Sequence, residues 1–152
     1  MKTNLVYLDM NVYNRSFDDQ SQWRIKMEST ACQIIFYLAQ EQNIELVWSF
    51  VLEYENSLNP FPERHDEVRL LSQIAQQTIE PSKDILQRSE ELEKAGIKNM
   101  DAVHLACAEI FGCDFFVTCD DKLIKKANRL NVQLDVCNPI NFIQKVAEDE
   151  TI

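Results

Sequence analysis

NLVYLDMNVY, residues 4–13, joins a short apolar run to a single acid, Asp9, and FVTCDDKLIKKA, residues 116–127, repeats the pattern with Asp120 and Asp121. Apolar runs of this length, bounded by polar residues, are typical of strands buried in a parallel sheet. The carboxyl ends of parallel strands meet at one edge of the sheet, where such folds bind their ligands. We therefore expect Asp9 and Asp120 to emerge close together at that edge.

The rest of the chain alternates between strand and helix patterns. Strands are predicted at Asn4 to Leu8, Glu45 to Trp48, Phe115 to Thr118 and Gln133 to Val136. The helical spacing of apolar residues predicts helices at Trp23 to Gln40, Glu63 to Gln77, Ser82 to Ala95, Met100 to Phe111, Lys122 to Leu130 and Pro139 to Ala147. Strands separated by helices predict an α/β fold with a parallel sheet that is covered on both faces.

Particular residues predict where several helices begin, end and face the core. Ser49 is expected to cap the helix that follows the second strand, and Asn99 is expected to cap the helix from Met100. Gly96 and Gly112 stand where helices are predicted to end. The core stripe of the helix from Trp23 is predicted to consist of Ile34, Ile35, Leu38 and Ala39.

Length and charge limit the kinds of protein that this chain can be. Its 152 residues match a single domain, residues 1–152, and they contain no internal repeat or linker. The net charge of −10 argues against general, sequence-independent binding of nucleic acid, which needs a basic surface. It does not exclude an enzyme that acts on nucleic acid, because metal ions held by clustered carboxylates reverse the local charge.

The cysteines and the lengths of the apolar runs predict the cellular compartment of the protein. Five cysteines, an odd number without a CxxC pair, argue against a zinc site and against a disulfide scaffold, so we expect buried free thiols in a reducing compartment. The apolar run in MKTNLVYLD is too short for a signal peptide, and no run approaches the roughly 20 apolar residues of a membrane span. We expect a soluble, cytoplasmic protein that does not associate with membranes.

Four acidic residues are placed where they can share one site. Asp9 and Asp120 each follow a strand. Glu55 comes six residues after Ser49, and Asp101 opens the helix before the third strand. Carboxylates gathered at one edge repel one another and lose hydration, and a divalent cation removes both costs. Taken singly, each acid is also explained as a helix cap or a solvated helix residue, but the joint pattern is more specific.

The acidic pattern favours one class of chemistry. Mg²⁺ and Mn²⁺ prefer oxygen ligands, activate water and stabilise negative charge on a phosphate. The sequence therefore predicts hydrolysis of phosphodiester bonds with Mg²⁺ or Mn²⁺ as cofactor.

Four blocks of the sequence resemble the PIN-domain nucleases, in that family's order and over nearly the whole chain. They are YLDMNVY at residues 7–13, WSFVLEYE at 48–55, KNMDAVHLACAE at 98–109 and FVTCDDKL at 116–123. The resemblance implies a three-layer sandwich around a central parallel sheet of about four or five strands, with a metal-dependent ribonuclease site. The VapC-type toxins of bacterial toxin–antitoxin pairs are the best-known members of similar size.

The resemblance also implies roles for individual residues. The catalytic acids would be Asp9, Glu55, Asp101 and Asp120, and the metal would be held by Asp9, Asp101 and Asp120. Asn11 would orient Asp9 or a metal-bound water, and Thr118 would form a hydrogen bond within the site. Asp121 is an additional acid that either binds the metal through water or faces solvent.

Two further residues need a choice between interpretations. Glu53 and Glu55 project about 200° apart on a helix, so only one can face the site, and the spacing from Ser49 favours Glu55. His104 lies one turn after Asp101 and is interpreted as a packed or hydrogen-bonded helix residue rather than as an acid–base catalyst. No Ser-His-Asp or Cys-His arrangement and no Gly-rich phosphate loop is recognisable.

Basic residues are scarce, and several of them share one helical stripe. These are Lys122, Lys125, Lys126 and Arg129. The stripe is explained either as a solvated helix surface or as a patch that contacts RNA phosphates beside the acids.

Together these features predict a metal-dependent endoribonuclease that cuts single-stranded RNA. It could be the toxin of a toxin–antitoxin pair, with an antitoxin protein as partner. A Mg²⁺-dependent phosphatase of the haloacid-dehalogenase type is the first alternative, but that family has Asp and Thr where Asn11 and Tyr13 stand. A non-catalytic PIN-like binding module is the second, and the presence of all four acids disfavours it. The apolar length of Trp23 to Gln40 is compatible with a homodimer and equally with core packing.

Overall fold

A parallel sheet of five strands runs through the middle of the structure, a computed structural model that describes residues 3–150. The strands are β1 (Asn4–Leu8), β2 (Ile44–Ser49), β3 (Gln77–Ile79), β4 (Phe115–Val117) and β5 (Asp135–Cys137). Their order across the sheet is β3-β2-β1-β4-β5, and every neighbouring pair is parallel. Helices flank this sheet, so the predicted α/β fold class is confirmed.

Strand β1 occupies the centre of the sheet. Its residues Val6, Tyr7 and Leu8 are completely buried, as expected for a strand covered on both faces. Tyr7 is paired with Val47 on one side and with Phe116 on the other. The strand order runs from β1 towards β2 and β3 on one side and towards β4 and β5 on the other, so the direction of winding changes at β1. The crevice beyond the carboxyl end of such a strand is the usual ligand site of an α/β sheet.

Eight α-helices connect and cover the strands within residues 3–150. They are α1 (Met10–Asn14), α2 (Trp23–Gln40), α3 (Phe50–Ser57), α4 (Pro62–Ser72), α5 (Lys83–Lys94), α6 (Asn99–Phe111), α7 (Asp121–Arg129) and α8 (Pro139–Glu150). Helix α2 packs against α8, and α5 packs against α6. Ser49 caps α3 as predicted, because its Oγ accepts a hydrogen bond from the Leu52 N–H at 3.1 Å. Gly112 ends α6 with a φ of +89°, a conformation that favours glycine.

Two sequence-based predictions of element ends were wrong. The helix predicted from Glu63 to Gln77 ends at Ser72, and the chain then forms β3, which the sequence did not reveal. Strand β3 is a three-residue edge strand in which only Ile79 is buried, so it lacks any apolar alternation. Asn99 does not cap α6: it is the first helical residue, and Lys98 occupies the cap position without a side-chain bond.

The core face of α2 is narrower than predicted. Ile35 and Ala39 are buried and Leu38 is partly buried, but Ile34 is 40% exposed. Adjacent positions on a helix point about 100° apart, and Ile34 lies on the solvent side of Ile35. Four of the five free cysteines are buried, and Cys119 is partly buried. In the part of the chain that the structure describes, no helix has the length and hydrophobicity needed to cross a membrane.

Candidate active site

Asp9 lies at the carboxyl end of β1, where the strand passes into α1. Its carboxylate is almost completely buried, and Oδ1 accepts a hydrogen bond from the Met10 N–H at 2.8 Å. The Asp9 backbone N–H donates to the Val117 carbonyl at 2.9 Å, which fixes the end of β1 against the end of β4. The central position of β1 therefore places Asp9 at the edge where parallel sheets bind ligands.

Thr118 connects the two strand ends. Its hydroxyl donates to Asp9 Oδ2 at 2.8 Å and accepts a hydrogen bond from the Asp120 N–H at 3.1 Å. The Asn11 side chain adds a second connection: Nδ2 donates to Asp9 Oδ2 at 3.2 Å and to Thr118 Oγ1 at 3.1 Å, while Oδ1 accepts from the Cys119 N–H at 3.0 Å. Asp9 and Asp120 consequently lie at the same edge of the sheet.

Asp101 and Asp120 line one small cleft from two different helices. Asp120 caps α7, with Oδ1 accepting from the Lys122 and Leu123 N–H groups at 3.0 and 3.3 Å. Asp101 stands in the first turn of α6 and is partly buried. The cleft has a volume of about 30 Å³, enough for an ion or a water molecule but not for a nucleotide. Its walls also carry three lysines, namely Lys98, Lys122 and Lys126.

Glu55 is the acid of α3 that turns towards the interior, whereas Glu53 is exposed. Its Oε1 is in hydrogen-bond contact with Nε2 of His104, a completely buried side chain of α6. The same His104 Nε2 lies 4.0 Å from Asp9 Oδ1. The Glu55 carboxylate thus reaches Asp9 by way of the imidazole.

Burial disfavours the charged forms of two acids of this site, Asp9 and Asp101. Burial raises the pKa of Asp9 above its ordinary value, and the Glu55 charge raises it further, although His104 and the Thr118 hydrogen bond act in the opposite direction. Burial also raises the pKa of Asp101, followed by the charges of Asp9 and Asp120. A group whose charged form is disfavoured in this way is stabilised by an added cation.

The spacing and chemistry of the carboxylates show whether they are suited to bind a divalent metal ion. Among residues 3–150, no three His, Cys, Asp or Glu side chains stand close enough together to surround an ion. Mg²⁺, however, usually keeps several waters and needs only one or two protein carboxylates. The cleft provides two, Asp101 and Asp120, and burial, followed by the charges of Asp9 and Asp120, raises the pKa of Asp101. The donor set therefore fits a hard cation that is held largely through water.

Asp121 is directed towards a different partner. Its two oxygens accept hydrogen bonds from the Arg24 guanidinium at 2.6 and 2.7 Å. These hydrogen bonds lower the pKa of Asp121. The prediction that Asp121 binds metal through water or simply faces solvent missed this ion pair.

The predicted basic stripe of α7 is divided in the structure. Lys122 and Lys126 line the cleft, whereas Lys125 lines a separate hollow beside Arg24 and Asp121. Arg129 is exposed in the last turn of the helix. Lys98, which the sequence analysis did not select, joins the cleft because it immediately precedes α6.

The sequence analysis also missed two side chains that surround His104. The Tyr7 hydroxyl lies 2.6 Å from His104 Nδ1 and 2.7 Å from Ser49 Oγ, and both Tyr7 and Ser49 are completely buried. One signal was present: Tyr7 is the only polar group inside the apolar run of β1, and a buried phenol normally has a hydrogen-bond partner.

A second group of charges lies around Glu28 of α2, whose side chain is completely buried. Its carboxylate accepts hydrogen bonds from Arg15 Nε at 3.0 Å, from Arg24 Nε at 3.3 Å and from Asn138 Nδ2. Arg24 extends the network to Asp121. We call these residues the Glu28 network.

Comparison with known proteins places the fold. No protein-family model matches the chain, and no curated protein matches it. A solved structure does: a chain of VapBC2 from Rickettsia felis, crystallised bound to a DNA fragment from their promoter, is 18% identical, with a TM-score of 0.56. The match covers 88% of this chain and 98% of that chain. The chain therefore has a VapC-like fold, in agreement with the PIN-like sandwich that its four sequence blocks predicted.

Proposed function

We propose that this chain is an endoribonuclease that hydrolyses phosphodiester bonds of single-stranded RNA with Mg²⁺ or Mn²⁺. The observation that carries the proposal is the junction of β1 and β4, where Thr118 connects Asp9 to Asp120. This junction lies at the central strand of a parallel sheet, the usual place for a ligand. The VapC-like fold and the four PIN-like blocks support the same function.

The residues of the site have different proposed roles. Asp101 and Asp120 hold the cation from the two walls of the cleft, and Asp9 stands behind them, oriented by Asn11 and Thr118. When bound, the cation activates water and stabilises negative charge on the phosphate. Glu55 forms the wall of the site beside His104.

Lysines of the cleft balance part of the substrate's charge. Lys98 and Lys122 lie next to the two carboxylates, where they contact phosphates of the bound strand. The net charge of −10 repels RNA elsewhere on the surface, so binding depends on the cation and on these few lysines.

An antitoxin protein is the proposed partner. The similar structure is VapBC2 bound to a DNA fragment from their promoter. This similarity supports the proposal that the chain belongs to a toxin–antitoxin pair. Coexpression of the chain with the product of the gene immediately upstream tests this part. A toxin predicts that the two proteins copurify and that the upstream protein suppresses RNA cleavage.

The catalytic proposal is tested with purified protein and a labelled single-stranded RNA. We expect cleavage that requires Mn²⁺ or Mg²⁺, stops with a chelator, and is lost in Asp101→Asn. Asp84→Asn is the matched control, because Asp84 also stands in the first turn of a helix but is exposed on α5. Parallel reactions with an aryl phosphate test the phosphatase alternative.

Two results would overturn the proposal. One is the absence of metal-dependent RNA cleavage by the folded wild-type protein, and the other is equal cleavage by wild type and Asp101→Asn. Hydrolysis of the aryl phosphate without cleavage of RNA would favour the phosphatase instead.

A further inference from the structure

A chain of hydrogen bonds connects the core of the protein to Glu55. It runs from Ser49 Oγ to the Tyr7 hydroxyl at 2.7 Å, from that hydroxyl to His104 Nδ1 at 2.6 Å, and from His104 Nε2 to Glu55 Oε1. Ser49, Tyr7 and His104 are no more than 1% exposed. They come from β2, β1 and α6, so the chain joins three elements before it reaches the fourth, α3.

The donors and acceptors of this chain can be assigned in a direction that satisfies every group. Ser49 Oγ accepts from the Leu52 N–H and is free to donate its own hydrogen to the Tyr7 oxygen. Burial raises the pKa of the Tyr7 phenol, so it keeps its proton and donates to His104 Nδ1. An ionised carboxylate only accepts, and His104 therefore carries its proton on Nε2 and donates it to Glu55.

We propose that His104 is a positioning residue: held by Tyr7, it fixes the carboxylate of Glu55 at the wall of the active site, beside Asp9. The inference deepens the proposed nuclease function and rests on it. A glutamate has three rotatable side-chain bonds, and the Glu55 side chain is 27% exposed, so without a partner it would sample several conformers. A buried imidazole whose other nitrogen is already bonded removes that freedom.

The position of His104 between two acids gives it a second effect. Its Nε2 touches Glu55 and lies 4.0 Å from Asp9 Oδ1, so the N–H dipole separates two carboxylates that otherwise repel each other. The Tyr7 ring packs edge-on against the imidazole at a centroid distance of 5.7 Å. Neither contact requires His104 to touch the substrate.

If His104 positions Glu55, the effect of replacing His104 on kcat requires the Glu55 carboxylate. If His104 is purely structural, that effect is the same with or without the carboxylate. The experiment measures kcat and KM for RNA cleavage in wild type, His104→Leu, Glu55→Gln and the double variant. We expect His104→Leu to lower kcat roughly 10- to 100-fold with little change in KM. In the Glu55→Gln background the same substitution should lower kcat no further, because its effect acts through that carboxylate.

Conservative and matched variants complete the test. His104→Gln keeps an N–H group that can reach Glu55, so it should recover most of the lost kcat, and Tyr7→Phe should lose part of it. His65→Gln is the control, because His65 is the other histidine of the chain and pairs with Asp66 at the surface. If His104→Leu does not fold, as judged by circular dichroism, His104→Gln and Tyr7→Phe replace it, and each is combined with Glu55→Gln in the same comparison of single and double variants.

A readout without metal or substrate separates this inference from the proposed function. The ¹³C signal of the Glu55 carboxyl group, identified by its loss in Glu55→Gln, is followed in the metal-free protein. We expect it to move towards the position of an exposed glutamate in His104→Leu and to stay unchanged in His65→Gln. An unmoved signal, or kcat losses that add fully in the double variant, would overturn the positioning role. Inactive wild-type protein with a shifted signal would overturn the nuclease proposal alone.

Discussion

The Glu28 network and the candidate active-site edge, where Asp9 follows β1 and Asp120 follows β4, surround their carboxylates with different partners. Glu28 is met by two arginines and Asn138, so the chain supplies the balancing cations itself. At the candidate active-site edge, the Asp9 carboxylate accepts hydrogen bonds from uncharged groups of Met10, Asn11 and Thr118, and His104 Nε2 lies 4.0 Å from it. The first arrangement is complete as it stands, whereas the second leaves room for a cation from outside.

The difference also appears in the proton affinities. Asp9 and Asp101 have raised pKa values because they are buried among other carboxylates. Asp121, at the end of the Glu28 network, has a lowered pKa because Arg24 binds both of its oxygens. Acidic side chains of one chain are thus paired with arginine in one region and buried near other carboxylates in the other.

The largest expected effect comes from removing one charge at the active-site edge. Asp9→Asn should lower RNA cleavage at least about 100-fold, since the site loses a carboxylate that the substrate-bound state needs. The metal-free protein should remain folded and be as stable as wild type within about 1 kcal/mol, because the lost charge was a repulsive one. Cleavage rates and urea unfolding measure the two effects.

The surface acid Asp66 provides the control for this experiment, because its side chain is 77% exposed. Asp66→Asn should change neither rate nor stability. Full metal-dependent cleavage by Asp9→Asn would remove the distinction between the two regions.

The Glu28 network should respond in the opposite manner. Glu28→Gln should cost about 3 kcal/mol of unfolding free energy, because it leaves Arg15 without its buried partner, while Mn²⁺ affinity stays within about twofold of wild type. Glu91→Gln, which removes a surface pair with Arg88, should cost less than about 1 kcal/mol. Equal costs in the two variants, measured by urea unfolding, would contradict this contrast.

The pH dependence of stability should distinguish the regions as well. A carboxyl whose pKa is raised by folding takes up a proton as the chain folds. The charge penalty is therefore absent below the ordinary pKa of 3.8, grows as the pH rises from there to the raised pKa values of Asp9 and Asp101, and is fully present above them. Mn²⁺ at about 100 times its dissociation constant should raise the free energy of unfolding by about 2.7 kcal/mol. This stabilisation by Mn²⁺ should be larger at about pH 8 than at about pH 5.

Thermal unfolding with and without Mn²⁺ at the two pH values measures this effect. Asp101→Asn should lose both the Mn²⁺ stabilisation and part of the pH dependence, whereas Glu28→Gln should keep them. Equal Mn²⁺ stabilisation of wild type and Asp101→Asn would place the metal elsewhere.

The smallest expected effect concerns the lysines beside the two regions. Lys122 lines the active-site cleft, whereas Lys125 lies beside Arg24 and Asp121. Lys122→Ala should flatten the slope of log affinity for single-stranded RNA against log salt by about 0.7, the value of one phosphate contact. Lys125→Ala, its neighbour on the same helix, should leave the slope unchanged. Binding isotherms at several salt concentrations with Mn²⁺ fixed decide, and equal slopes in both variants would sink the assignment.

Much of the fold was predictable because its signals are local. Apolar runs fixed the positions of β1, β2 and β4, and the acids that follow β1 and β4 indicated the functional edge. Strand β3 escaped because it has three residues and a single buried side chain. Ile34 was assigned to the core because periodicity alone does not reveal which flank of an apolar stripe has a partner.

The partners of the site residues were harder to predict for a different reason. The bonds between Tyr7 and His104 and between Arg24 and Asp121 each join residues 97 positions apart, and the pairing depends on how the sheet brings helices together. A sequence identifies a histidine or an arginine, but only packing decides what it contacts. Asp121 illustrates this: it was interpreted as binding metal through water or facing solvent, and in the structure its half-exposed carboxylate pairs with Arg24.

The hydrogen bond between Thr118 and Asp9 determines when the junction of β1 and β4 can form during synthesis of the chain. It spans 109 positions, so a ribosome that adds roughly 5 to 20 residues per second finishes Asp9 several seconds before Thr118 exists. During that interval the nascent chain carries β1, β2 and Glu55 but cannot complete the junction of β1 and β4. Any activity that needs this junction is therefore absent from nascent chains that end before Thr118, residue 118 of the 152.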